Sequence, residues 1–216
     1  MMMQTLSIDF NHTKNGSDTV MRIVLLLCMV WFITVLLAAL SGGFEMAVGE
    51  PPAAILFAVI APVVLFAVSY MTISAFRNWV LMLDMRQLIL LHSWRMVGVG
   101  FVFLYFHGQL PALFALPAGI GDAVAAAGAL FLGIALFKNA SAVSRRKVFL
   151  WNTFGLLDFI IAVSMGIATR TNEWLYIANQ ASSDIMGQFP LALIPGFAVP
   201  FYIITHLIIY AQLKQR

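Results

Sequence analysis

Of the 216 residues, 62% are hydrophobic and only 10% are charged, whereas a soluble domain carries about 25% charged residues. That balance excludes a water-facing globule. The formal charge of +3 falls between apolar runs, which points to membrane topology and excludes a nucleic-acid partner, and the single cysteine, Cys28, excludes an internal disulfide.

A bilayer core of about 30 Å takes about 20 apolar residues in a helix. Six runs qualify, which predicts an all-α, polytopic transmembrane bundle. It has a cytoplasmic tail over 1–22, one six-helix domain over 23–213 and a cytoplasmic tail over 214–216. Ile23 to Leu40 carries no charge. Its length reads as an anchor despite the small-x-small triplet Ala39-Leu40-Ser41, because a signal-peptide core is about 7–15 residues. Ala53 to Phe76 is charge-free and contains Pro62. Leu88 to Phe106 contains His92 and Arg95. Ala118 to Phe137 contains Asp122, Val148 to Thr169 contains Asp158, and Pro190 to Leu213 contains His206. Between the last two lies a long loop in which Trp174-Leu175-Tyr176-Ile177 has the composition of an interfacial piece.

With the N-terminus inside, the inner segments carry Lys14, Arg22, Arg77, Arg86, Arg95, Lys138, Arg145, Arg146, Lys147, Lys214 and Arg216. The outer segments carry only Arg170. The positive-inside rule reads this bias as cytoplasmic termini. Asn11-His12-Thr13 and Asn15-Gly16-Ser17 are then cytoplasmic chance matches to the glycosylation pattern.

Two stretches are alike. Trp94-Arg95-x-x-Gly98 opens the third span and Trp151-Asn152-x-x-Gly155 the fifth. Gln109-Leu110-Pro111 and Gln188-Phe189-Pro190 mark the outer turns that follow. Spans three and four are therefore a candidate parallel repeat of spans five and six.

Charge inside a bilayer costs about 2.5–3.5 kcal/mol per residue on insertion scales. Arg95, Asp158 and His206 lie at comparable depths, so they form a candidate intramembrane polar layer, with Tyr202 and Tyr210 one turn either side of His206. Such a layer serves an ion or a small polar solute, or it locks helices together. Asp122, early in its span, is a candidate at the outer mouth. Gly121, Ala125, Ala129 and Gly133 form a small-residue stripe suited to helix packing. No lysine lies deep in a span, as a retinal protein would need. His92 and His206 leave one bis-histidine haem as an alternative. No zinc-protease, phosphate-loop or nucleotide-turn motif is present, and no serine has a base and orienter around it. An enzyme acting on lipid or quinone ranks behind a solute-handling protein and an accessory subunit. Six spans in so short a chain leave little room for a wide pathway, so a homo-oligomer or a partner membrane subunit is expected beside the lipid.

The run Trp94-Arg95-x2-Gly98-x2-Phe101, then Leu110-Pro111-x2-Phe114-Ala115-x-Pro117-Ala118-Gly119-x-Gly121-Asp122, resembles a family of uncharacterised prokaryotic integral membrane proteins. Trp151-Asn152-x2-Gly155-x2-Asp158 resembles it too. The likeness covers spans three to five and implies a bacterial-type plasma membrane, with no chemistry attached.

Overall fold

The computed structural model describes residues 2–47, 49–139 and 143–215, with side chains from Asp18 onward. The side chains of Lys14, of both glycosylation-like triplets and of Arg216 lie outside that description. The chain is all-α. Its helices are α1 (Met2–Leu40), α2 (Ala53–Thr72), α3 (Ser74–Met82), α4 (Met85–Leu91), α5 (Val99–Phe106), α6 (Ala112–Lys138), α7 (Arg145–Ala168) and α8 (Val199–Gln215). Six segments are long and apolar enough to cross a membrane: Asp18–Leu40, Ala53–Thr72, Met85–Phe106, Ala112–Lys138, Arg145–Ala168 and Ile194–Gln215.

Local signals set the ends. Asp84 caps α4 by accepting from the Arg86 N–H, and Ser144 caps α7 by accepting from the Lys147 N–H, each satisfying a donor that the first turn leaves free. The second run ends earlier than its hydropathy suggests. Ile73 is extended, and the chain restarts as the short helix α3. The Gln212 side chain of α8 pins the turn after α3 by donating to the carbonyls of Val80 and Leu83 at 3.3 and 2.8 Å.

The centre of the bundle is α6, packed against the third span and α7. Its buried face is built mainly of Ala and Gly, which lets neighbouring backbones approach closely. Of the expected stripe, Ala125, Ala129 and Gly133 are buried. A Cβ at Gly133 would collide with Leu90, and one at Gly121 with the Asp158 carboxylate. Helix α8 packs against α7 and α2, and α1 lies at the periphery against α3 and the turn before α8.

Two departures from α-helix matter for the site. The third span passes through a 3-10 segment, His92–Gly98, between α4 and α5. At three residues per turn, side chains at i and i+3 eclipse. His92, Arg95 and Gly98 therefore fall in one row, and these are the residues of the segment that are buried. The sixth span opens with a π turn, Ile194–Ala198, a feature common at functional sites.

Candidate functional site

Arg95 projects from the 3-10 row into the middle of the bundle, where the residue is 3% exposed. Its Nε donates to Asp122 Oδ1 at 2.7 Å and its Nη2 to Asp158 Oδ2 at 2.5 Å. Nη1 faces the Gly155 carbonyl at 3.2 Å and His206 Nε2 at 3.3 Å. The guanidinium also lies 3.9 Å from the centroid of the Phe159 ring, a cation–π contact made stronger by burial. Each of the three guanidinium nitrogens has a partner, and four of the five N–H donors are used.

These contacts fix His206. Arginine has only donors, so Nε2 accepts and the ring proton sits on Nδ1. Nδ1 donates to Asn152 Oδ1 at 2.7 Å, and Asn152 Nδ2 returns a bond to the His206 carbonyl at 3.1 Å. His206 is thus a neutral imidazole in one tautomer. His92 stacks beside it with ring centroids 4.1 Å apart. The Thr205 hydroxyl donates to the Tyr202 carbonyl at 2.8 Å, so His92 Nε2 donates to Thr205 Oγ1 at 3.0 Å. That leaves His92 Nδ1 buried with no partner among the described residues.

Some expectations need correcting. Asp122 is not at the outer mouth. Helix α6 begins at Ala112, six residues before the expected start, so Asp122 lies ten residues in, about 15 Å along the axis. The apolar Ala112-Leu113-Phe114-Ala115-Leu116 extends the helix through Pro117, and the carboxylate then reaches Arg95. Tyr210 is not in the layer either; its hydroxyl pairs with Thr153 Oγ1 at 2.7 Å, one turn beyond His206. Tyr202 is at the layer, packed on His92 and Phe159. The bis-histidine haem does not fit, because imidazoles stacked at 4.1 Å leave no room between them for a macrocycle.

Asn152, Phe159, Gly155 and Thr205 join the site although sequence reasoning gave them no such role. Asn152 carried a usable signal, a polar residue in an apolar span at the position matching Arg95 in the repeat. The two hairpins make matching contacts there. Arg95 of the third span bonds Asp122 of the fourth, and Asn152 of the fifth bonds His206 of the sixth. A Cβ at Gly98 would strike Asp122, and a Cβ at Gly155 would strike His206. Phe159 carried no signal at all.

Above the Arg95 layer lies a cavity of about 310 Å³ between α2, the third span, α7 and the start of the sixth span. Its walls are mostly apolar, among them Val59, Phe101, Phe114 and Ala162, and Asp122, Arg95 and Tyr202 stand at its inner end. Trp94 and Val97 line it and are 70% and 68% exposed, so it reaches the surface of the bundle beside them. Arg170 and Asp184 line the far end. Arg170 donates to the Glu50 carbonyl at 2.9 Å and to Asp184 Oδ1 at 3.1 Å, tying two loops together over the cavity. Asp184 also accepts from the Thr171 N–H, the Thr171 hydroxyl and the Ser182 hydroxyl. Burial works to raise its pKa, but the bonds from Thr171 and Ser182 and the charge of Arg170 outweigh it and hold the carboxyl below its usual range.

The family described as a domain of unknown function (DUF8737) matches residues 51–214. No curated protein matches the chain. No solved structure matches it either.

Proposed function

The chain belongs to the DUF8737 family, and we propose that within it this protein binds a small lipid-soluble molecule taken up sideways from the bilayer, with that molecule's polar group held at the Arg95 layer. One observation carries this reading: a cavity whose walls are apolar and whose few polar groups converge at one end, the usual composition of a small-molecule site. An ion path is favoured less, because its walls would need polar groups along their length to replace hydration. Arg95 acts as a positioning residue, since its own nitrogens are occupied. Asp122, whose side chain is 14% exposed, and Tyr202 are the groups that meet the ligand.

We place the protein in a bacterial-type plasma membrane with both termini cytoplasmic. Eleven of the twelve basic residues support that orientation. The second reading, an accessory subunit whose polar residues lock helices, is favoured by the contacts of Arg95 to three other spans.

The test is to extract the protein into native lipid discs and identify bound small molecules by mass spectrometry. A lipid-soluble molecule is expected in wild type and should be lost in Ala162→Phe, which narrows the cavity from α7 and replaces none of the ion-paired residues. Identical spectra for both proteins would reject the ligand site and leave the structural reading.

A further inference from the structure

The cavity is chemically lopsided. At its inner end Arg95 and Asp122 line the cavity, and Asp158, which also pairs with Arg95, completes a cluster of one guanidinium and two carboxylates. Fully ionised, the cluster has one negative charge in excess, and His206 adds none, because the Arg95 contact keeps its ring neutral. Excess charge in a low-dielectric site is costly unless a proton or a cation balances it. Arg95 has little left to offer an anion, since its side chain is 1% exposed and four of its five N–H donors already face Asp122, Asp158, Gly155 and His206. Asp122 is different. It lines the cavity and is partly exposed there. The Tyr202 hydroxyl has no hydrogen-bond partner among the described residues.

From this asymmetry we infer that the cavity selects a single-chain lipophilic amine, whose ammonium group sits against Asp122 at the inner end of the cavity while its apolar body fills the space toward Arg170. The inference rests on the ligand site proposed above. An ammonium has three donors and no acceptor, the complement of a carboxylate and a phenol. It supplies the one positive charge that neutralises the cluster. An anionic head would add a second uncompensated charge and meet a guanidinium that is only 1% exposed. Uptake also balances. A neutral amine arriving from the lipid takes the proton that the carboxyl pair holds when the site is empty: the N–H bond forms as the O–H bond breaks, and the total charge is unchanged. The volume of about 310 Å³ is at the lower end of the range for small-molecule sites. That suits one chain and leaves no room for the second chain of a phospholipid.

The experiment compares decylamine, decanol and decyl sulfate, which share a tail and differ in head charge, binding to the protein in phosphatidylcholine nanodiscs. Empty discs supply the background for each. Decylamine is expected to bind roughly tenfold or more tightly than decanol, the scale of one charge-assisted hydrogen bond, and decyl sulfate to stay at background. Asp122→Asn should bring decylamine down to the level of decanol. Should that variant fail to fold, Ala162→Phe remains, and it should remove all specific binding of decylamine. Equal binding of amine and alcohol by wild type, or tighter binding of the sulfate, overturns the amine assignment while leaving the cavity as a ligand site. No specific binding of any of the three, with Ala162→Phe indistinguishable from wild type, overturns both. Phosphatidylethanolamine doped into the discs should not displace decylamine; displacement at matched concentration would overturn the single-chain assignment in favour of an aminophospholipid.

Discussion

Arg95 is the residue on which the centre of this bundle depends. A guanidinium removed from water is tolerated only when its N–H groups are paired, and loss of one carboxylate strands the Nη2 donor although Asp122 still balances the charge. Asp158→Ala should therefore lower stability by about 1–3 kcal/mol, the cost of an unpaired buried donor, read from detergent melts. In a double-mutant cycle, Arg95→Met combined with Asp158→Ala should cost clearly less than the sum of the single changes; plain additivity would show that the pair is not coupled. His206 behaves otherwise than its apolar setting suggests. Phenylalanine there keeps the bulk, but it strands an Arg95 N–H and the Asn152 carbonyl oxygen. His206→Phe should thus destabilise by about 1–3 kcal/mol, the cost of leaving a buried polar group unpaired, and a melting temperature at or above wild type would contradict the bonding described here.

Helices and loops carry their own consequences. The Gly155 backbone lies so close to the layer that a Cβ would strike the His206 ring and Arg95 Nη1. Gly155→Ala should cost about 1–3 kcal/mol through overpacking. Gly100, also in the third span, has open space where its Cβ would stand, so Gly100→Ala should be neutral or slightly stabilising. Melts of the two variants separate these outcomes. The Asp184 staple adds a pH dependence. Its carboxyl is held below the ordinary value, so the stability it contributes is present above the unfolded pKa of about 3.9 and is lost as pH falls through the folded one. Amide protection over 170–188, corrected for intrinsic exchange, should fall in acid below about pH 4. Asp184→Asn should be less protected at neutral pH and show no such step.

At the scale of the whole molecule, the orientation is open to direct measurement. In a Cys28→Ala background, a cysteine at Lys214 should react with a membrane-impermeant reagent only from the cytoplasmic side. One at Trp174, which is 76% exposed in the loop on the opposite face, should react only from outside. The reverse pattern would overturn the orientation. The lateral opening of the cavity beside Trp94 also means that the ligand-free protein should bind lipid-soluble quenchers there. A brominated lipid should quench Trp94 fluorescence more than that of Trp151, which is buried and donates its indole N–H to the Ala125 carbonyl.

The sequence by itself determined the six spans, because bilayer thickness converts directly into a count of consecutive apolar residues, and that count needs no partner. It also singled out Arg95, Asp158 and His206 as costly, because each interrupts a run that lipid would otherwise surround. Asp122 as a partner of Arg95 was a different matter. Asp122 reaches it because α6 starts at Ala112, and the apolar residues before Asp122 read equally well as an outer turn or as a first helical turn. His92, Arg95 and Gly98 share a row only because the third span tightens there to a 3-10 helix, whereas ordinary α-helical spacing of the same letters would fan them apart. Depth in a membrane follows from the chain where the ends of a span are legible, as they were not for Asp122, but the direction in which a side chain points depends on helix phase, and packing against the neighbouring spans decides that.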